Sequence, residues 1–195
     1  MNWDEYYTKI NNSKPSNLLK RFSEMNAKRK TAIDLGCGSG KDTIFLLKNG
    51  YKVYAIDKEE IIKKYIDDKI NQDEKMRLKY IIKDFEKIDF PKVDLINANL
   101  SISFCHPNKI DNLLKNIKAS INIDGFFVGN FLGILDDWHT NKNMTFFAEQ
   151  QIKEIFKNFK IIYFNERNED KKAVNGNLKH WHIYELIAYK FKDIK

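Results

Sequence analysis

Apolar residues in this chain fall into short blocks of two periods, and the blocks alternate. Ala32 to Leu35, Tyr51 to Ile56 and Tyr80 to Ile82 are compact β-rich runs suited to buried strands, which end near Asp34, Asp57 and Asp84. Around them, Ser16 to Met25, Thr43 to Asn49 and Ile61 to Ile70 carry apolar residues at helical spacing. A fourth strand follows at Val93 to Leu100, opening into the loop Ser101 to Pro107. Next come a helix at Asn108 to Ile121 and a fifth strand at Phe126 to Leu132, entered through an Asp124–Gly125 turn. Strand and helix in regular alternation predict a parallel sheet with helices on both faces and right-handed crossovers. The ending breaks this rule. After a helix near Ala148 to Phe156, only the polar loop Asn165 to Leu178 separates the run Phe159 to Phe164 from His180 to Ala188. These last strands therefore pair antiparallel, which predicts a seven-stranded sheet, mostly parallel, with the last strand reversed.

The junction between the first strand and its helix carries the candidate chemistry. Gly36, Gly38 and Gly40 alternate after Asp34, and glycine there lets a ligand touch bare backbone. Asp42 to Leu47 reads as a capped helix start with an apolar face. The spacing is G-x-G-x-G, which differs from the dinucleotide fingerprint G-x-G-x-x-G. Asp57 lies about 20 residues beyond the first glycine, at a strand end where a carboxylate accepts ribose hydroxyls. Asp84 and Phe85 close a third strand. Each acid alone is an ordinary loop residue, but three at successive strand ends point to a nucleoside.

Composition narrows the classes. The 195 residues, 43% of them hydrophobic, suit one domain over 1–195, with an N-terminal helical segment, 1–30. No run approaches the roughly 20 apolar residues of a membrane span. The first residues carry charge where a signal peptide has an apolar core, so a cytoplasmic location is expected. Cys37 and Cys105 have neither the number nor the spacing of a disulfide framework or a zinc site, and no metal is expected. The net charge of +7 comes from lysines scattered along the whole chain. Scattered charge attracts polyanions without forming a groove, so nucleic acid is not the expected partner. Trp3, Tyr6, Tyr7 and nearby lysines are the densest basic and aromatic cluster.

The segment Asp34 to Gly40 resembles motif I of the class I S-adenosylmethionine-dependent methyltransferases, and the reversed terminal hairpin resembles that family's ending. The chain is also similar to small bacterial methyltransferases of the tellurite-resistance type. The residues that carry this likeness are Ala32 to Gly38, Asp94 to Ala98, Phe104–Cys105, Asp137–Trp138, Met144 to Phe146 and Lys179 to Ile183. The resemblance implies a Rossmann-like α/β fold across essentially the whole chain, with S-adenosylmethionine as cofactor and S-adenosylhomocysteine as product. It implies that the N-terminal helical segment 1–30 covers the cofactor site. It also implies that Asp34, Gly36, Gly38 and Gly40 hold the methionine side and Asp57 the ribose, with Lys58 also among the cofactor-binding residues. Asp84 and Phe85 would hold the adenine, with Asn99 and Leu100 beneath the methyl group.

A sulfonium is already a good electrophile, so such an enzyme mainly aligns the acceptor and excludes water, and a base is optional. Histidine serves as base near neutral pH. The candidate catalytic residues are His106, after the fourth strand, and His180 and His182, two apart on one face of the reversed strand. The ordinary alternatives are a surface turn for His106 and sheet hydrogen bonding for the other two. Tyr7, Trp138 and His139 are candidates to contact the acceptor, with core packing as their alternative. The expected acceptor is a small molecule. Asn97 to Leu100 lack the aromatic-proline arrangement of amino-methylating DNA enzymes. An RNA methyltransferase, a nicotinamide oxidoreductase and a non-catalytic cofactor-binding protein are the alternatives, and a monomer and a homodimer are both open.

Overall fold

Parallel strands and a terminal hairpin share one sheet in the computed structural model, which describes residues 3–25 and 30–192, the side chains of Trp3 and Glu86 excepted. The strands are β1 (Thr31–Leu35), β2 (Lys52–Asp57), β3 (Leu78–Ile82), β4 (Val93–Ala98), β5 (Ile121–Leu132), β6 (Lys160–Lys172) and β7 (Leu178–Tyr189). Seven strands lie in the order β3-β2-β1-β4-β5-β7-β6. β7 is antiparallel to both of its neighbours, and the other pairings are parallel. The order turns outward on either side of β1 and β4, which opens a crevice at their carboxyl ends.

The helices are α1 (Trp3–Ile10), α2 (Asn17–Ser23), α3 (Lys41–Lys48), α4 (Ile62–Ile66), α5 (Gln72–Met76), α6 (Pro107–Ser120) and α7 (Glu149–Ile155). Alternate strand side chains feed two cores, as the pleat requires. Ile33, Leu35, Ile96 and Phe127 pack with Leu113 and Ile117 of α6 and Ile152 of α7. Ala32, Val53, Leu95 and Val128 pack on the other face with Phe22 of α2, Leu47 of α3 and Ile66 of α4. A smaller third cluster sits at the carboxyl edge. Leu132, Met144 and Ile183 are its buried members, with Leu100, Phe104, Trp138, Phe146 and Trp181 packed against them.

Several elements differ from the sequence expectation. Most of the stretch expected to be a polar loop, 165–178, is strand, because β6 runs on to Lys172 and pairs with β7 as far as Leu178. Its side chains are polar because this half of the hairpin extends past the core and is held by cross-strand pairs such as Arg167 with Glu185. The helix expected over Ile61 to Ile70 is α4 followed by a 3-10 turn at Asp67–Lys69. It stops because Asn71 adopts an extended backbone to cap α5, where Asn71 and Glu74 form a reciprocal capping box. Gly40, in the left-handed region, caps α3, whereas Asp42 is buried inside its first turn. β5 begins at Ile121 and passes through the expected Asp124–Gly125 turn without ending there. Of the N-terminal segment 1–30, residues 1–2 and 26–29 and the side chain of Trp3 lie outside the described residues.

Asp94 ties three strands at the amino-terminal edge. Its carboxylate accepts from Lys30 N, Thr31 N and Thr31 Oγ1 at 3.0–3.1 Å and from Asn122 Nδ2 at 3.0 Å. Burial alone would raise its pKa, but those donors together hold it below the usual carboxylate value. Asp94→Ala is expected to lower stability by about 1–3 kcal/mol by stranding these donors. Urea unfolding checks this, and the wild-type advantage should shrink as pH falls through the depressed carboxyl pKa.

Candidate functional site

The turn from β1 to α3 is packed against its surroundings so closely that two of its glycines serve the protein itself. A Cβ on Gly36 would lie 2.5 Å from Ser101 Cβ, and one on Gly40 would lie 2.2 Å from Ile66 Cγ1. Gly38 is different. With φ of 53° it lies beneath the ring of Tyr7, whose nearest atom is 3.2 Å from where a Cβ would stand. Tyr7, brought there by α1, is 4% exposed. Its hydroxyl pKa is raised by burial first and then by the charge of Asp57.

Beneath the turn two carboxylates are buried together. Asp34 accepts from Thr43 Oγ1 at 2.6 Å and from Asn97 Nδ2 at 2.8 Å. The same Asn97 amide reaches Asp42 Oδ2 at 3.2 Å, and Asp42 Oδ1 accepts from Ser16 N at 2.7 Å. Burial and the charge of Asp42 push the Asp34 carboxyl up to about 7, against the pull of Thr43 and Asn97. Both Asp34 oxygens are thus engaged from within the protein. Close by, Ser39 Oγ, Asn97 Oδ1 and Ser101 Oγ are buried without a hydrogen-bond partner among the described residues. Buried polar atoms are nearly always paired, so orphans at a glycine turn fit a polar ligand lodged there.

Asp57 faces this turn from the end of β2. Its Oδ2 accepts from Gly38 N at 2.9 Å and from Tyr7 Oη at 3.4 Å, and its Oδ1 accepts from Glu59 N at 3.1 Å. Lys58 is exposed, with its ammonium 3.9 Å from Glu59. β3 ends beside Asp57, where Lys83 N donates to Asp57 O at 2.9 Å. Just beyond, Asp84 is exposed and pairs with Lys87 at 3.3 Å, while Phe85 is half-buried against the core. The structure therefore brings Asp57, Asp84 and Phe85 to one end of adjacent strands.

The strand-four turn borders the third cluster. Leu100 has φ of 50°, a left-handed conformation that costs a non-glycine residue about 1 kcal/mol. Past it, Trp138 packs on Phe104 and Trp181 at ring centroids of 6.2 and 5.5 Å. The Lys179 ammonium lies 4.4 Å from the Trp138 ring and 3.8 Å from that of Trp181. Lys179 pairs there with Asp136, whose oxygens also accept from Trp138 N and His182 N. Both groups are buried, at 5% and 0% side-chain exposure.

The three candidate catalytic histidines sit in separate environments. His106 caps α6, its Nδ1 accepting from Asn108 N at 3.2 Å. His180 lies on the extended hairpin between Asp170 and Asn168, at 2.7 and 2.6 Å. His182 is buried, with Nδ1 accepting from Leu135 N at 3.0 Å and Nε2 2.7 Å from Glu166. Its ring fills the space a side chain at Gly133 would need. With both nitrogens engaged, His182 holds β7 to the loop after β5. His139 is exposed and meets Phe146 edge-on at 5.3 Å. Among the described residues no helix is long and apolar enough to cross a membrane.

The family model of the tellurite resistance protein TehB matches residues 2–183. The chain belongs to the TehB family. A TehB-family relative from Haemophilus influenzae, described as a probable S-adenosyl-L-methionine-dependent methyltransferase, is 25% identical over 162 residues. That alignment takes in 81% of this chain but 56% of the relative, so the chain spans about half the length of the relative it matches. The crystal structure of TehB from Haemophilus influenzae superposes with a TM-score of 0.78 at 21% identity, over 96% of this chain and 66% of that one. The N-methyltransferase NodS from Bradyrhizobium japonicum, solved with S-adenosyl-L-homocysteine, gives 0.66 at 13% identity over 97% and 87%. These likenesses show the Rossmann-like methyltransferase fold, reversed last strand included.

Sequence reasoning missed Asn97, Asp136 and the burial of Asp42 in this TehB-family chain. Asn97 was on view two residues before Asn99, at the end of an apolar strand, and a polar residue in such a run is the available signal. Two predictions follow from the buried charges. Because the native Asp34 binds its proton more tightly than the unfolded chain, with its ordinary value of 3.8, that stabilisation is full below about pH 4. It is lost as pH rises towards 7, so the stability of wild type relative to Asp34→Asn should fall between pH 4 and 7 in urea titrations. Asp136→Ala, which leaves the Lys179 ammonium buried and unpaired, should cost about 3–5 kcal/mol, and Asp136→Leu with Lys179→Met should recover most of it.

Proposed function

We propose that this TehB-family chain is an S-adenosylmethionine-dependent methyltransferase that passes a methyl group to a small-molecule acceptor by in-line displacement. The observation that carries the reading is Asp57, a carboxylate aimed over a glycine turn, beside orphaned buried polar atoms, in a chain whose family relative is described as such an enzyme. Asp57 accepts the ribose hydroxyls, taking them in place of the long Tyr7 contact. Asp84 and Phe85 serve the adenine edge and ring. Ser39, Asn97 and Ser101 offer their free oxygens to the methionine arm. S-adenosylmethionine, when bound, supplies a methyl group already activated by its sulfonium, so the protein's task is alignment and exclusion of water.

The acceptor side is read from the aromatic cluster beyond Leu100. Phe104, Trp138, Phe146 and Trp181 form an apolar wall over a short span, a surface suited to a small compound and ill suited to a nucleic-acid backbone. Trp138 and His139 stand on the loop that edges this wall. His182, with both nitrogens engaged, acts in positioning, and the chemistry proceeds without it as a base.

The test is a calorimetric titration with S-adenosylhomocysteine, with NADH and ATP as controls, followed by acceptor screening with labelled S-adenosylmethionine. Saturable binding of the first alone is the expected result, and binding of NADH instead would replace the reading with an oxidoreductase. Asp57→Ala should weaken S-adenosylhomocysteine binding by roughly 10–100-fold, the loss of a charged hydrogen-bond acceptor, while keeping a cooperative melt.

A further inference from the structure

The strained turn at Leu100 is held by a residue on another strand. Ala98 stands opposite Gly129 in the parallel ladder of β4 and β5, so Asn99 faces Asn130 one step beyond. Asn130 is 4% exposed. Its Oδ1 accepts from Leu100 N at 2.7 Å, and its Nδ2 donates to Asn99 Oδ1 at 2.7 Å. One amide therefore meets both residues of the turn, and it does so where Leu100 adopts φ of 50°. A second observation shows how little slack exists there. A Cβ at Gly129 would lie 2.7 Å from Ala98 O, so β5 is pressed against β4 at this level. Leu100 also packs into the Leu132, Met144 and Ile183 cluster, so the turn borders the cofactor cradle on one side and the aromatic wall on the other.

From this geometry we infer that Asn130 is a positioning residue of the methyl-transfer site, whose amide clamps Asn99 and Leu100 into the left-handed turn that supports the methionine arm of the cofactor. Backbone held in a sparsely populated conformation persists only where the surroundings over-determine it, and such places cluster at ligand sites. The amide supplies that determination with one acceptor and one donor, a combination alanine lacks entirely. The inference rests on the methyltransferase reading, in particular on S-adenosylmethionine as the ligand.

The test is calorimetry of S-adenosylhomocysteine and of adenosine, which lacks the methionine arm, on wild type, Asn130→Ala, Asn130→Asp and Asn130→Ala combined with Leu100→Gly. Asn130→Ala should bind S-adenosylhomocysteine at least tenfold more weakly while its adenosine affinity changes less than threefold. Leu100→Gly should restore most of the loss, because glycine adopts the positive φ without a clamp. Asn130→Asp, which keeps the acceptor for Leu100 N, should fall between the two and stands in for Asn130→Ala if that variant does not fold. Equal affinity in wild type and a folded Asn130→Ala would overturn the positioning role alone. So would equal weakening of both ligands, the mark of general structural damage. A wild-type protein that binds no S-adenosylhomocysteine would overturn the methyltransferase reading and this inference with it.

Discussion

Two buried carboxylates sharing one amide set the centre of this protein. Asp34 lies near the end of β1, Asp42 lies in the first turn of α3, and Asn97 of β4 donates to both from a single nitrogen. Two negative charges in an apolar interior are unfavourable unless a proton or a cation stands close by, and here the burden falls on Asp34, pushed up to about 7. The glycine turn is strung between these two anchors, so its path is fixed at both ends. Ser16, which caps α2 and donates its backbone N–H to Asp42, brings the N-terminal elements into the same arrangement. Asp57 then fixes the middle of the turn through Gly38 N. A loop that looks flexible by composition is held on three sides by carboxylates, a preorganised cradle of the kind ligand binding favours.

That arrangement explains what could be read in advance. The strand ends at Asp34, Asp57 and Asp84 were legible because each signal is local: a β-rich run, an acid, then a turn. The reversed hairpin was legible because no helix fits between the last two runs. The outer half of β6 was not, since its residues from Asn165 to Lys172 have no apolar face and are strand only through their partner. The polar residues under the turn were hidden for a related reason. Asn97 matters because parallel register places it opposite Asp34, and Asp136 matters because a lysine 43 positions later folds back onto it. The neighbouring sequence marks Asn97 only as a polar residue in an apolar run, and it names neither partner.

The histidines show the converse. Placing His180 and His182 on one face at the carboxyl end of the sheet made both attractive as bases, and the structure gives them different partners. His182 spends one nitrogen on Leu135 and the other on Glu166, and it packs on a glycine. A ring held at both nitrogens and shielded from solvent orients the backbone around it. His180 lies out on the hairpin between two polar side chains. The proposed methyl transfer from a sulfonium would tolerate this division, because alignment carries most of such a reaction.

The two halves of the site are consequently built in different ways. The half proposed for the cofactor comes from a local motif completed by hydrogen bonds with Asn97, Ser16 and Asp57. The half proposed for the acceptor contains the Lys179–Asp136 pair, which joins the outer hairpin to the loop after β5 under two indole rings. A buried ion pair contributes little net stability against a well-packed apolar replacement, so its effect here is better sought in geometry. The outer halves of β6 and β7 add almost nothing to either main core, and the pair fixes them to Trp138 together with the Trp138–Trp181 contact and the His182–Leu135 hydrogen bond. Changes in acceptor preference among proteins of this fold would then be expected in the hairpin and the loop it grips, while the glycine turn and its three carboxylates stay under the common constraint of the cofactor.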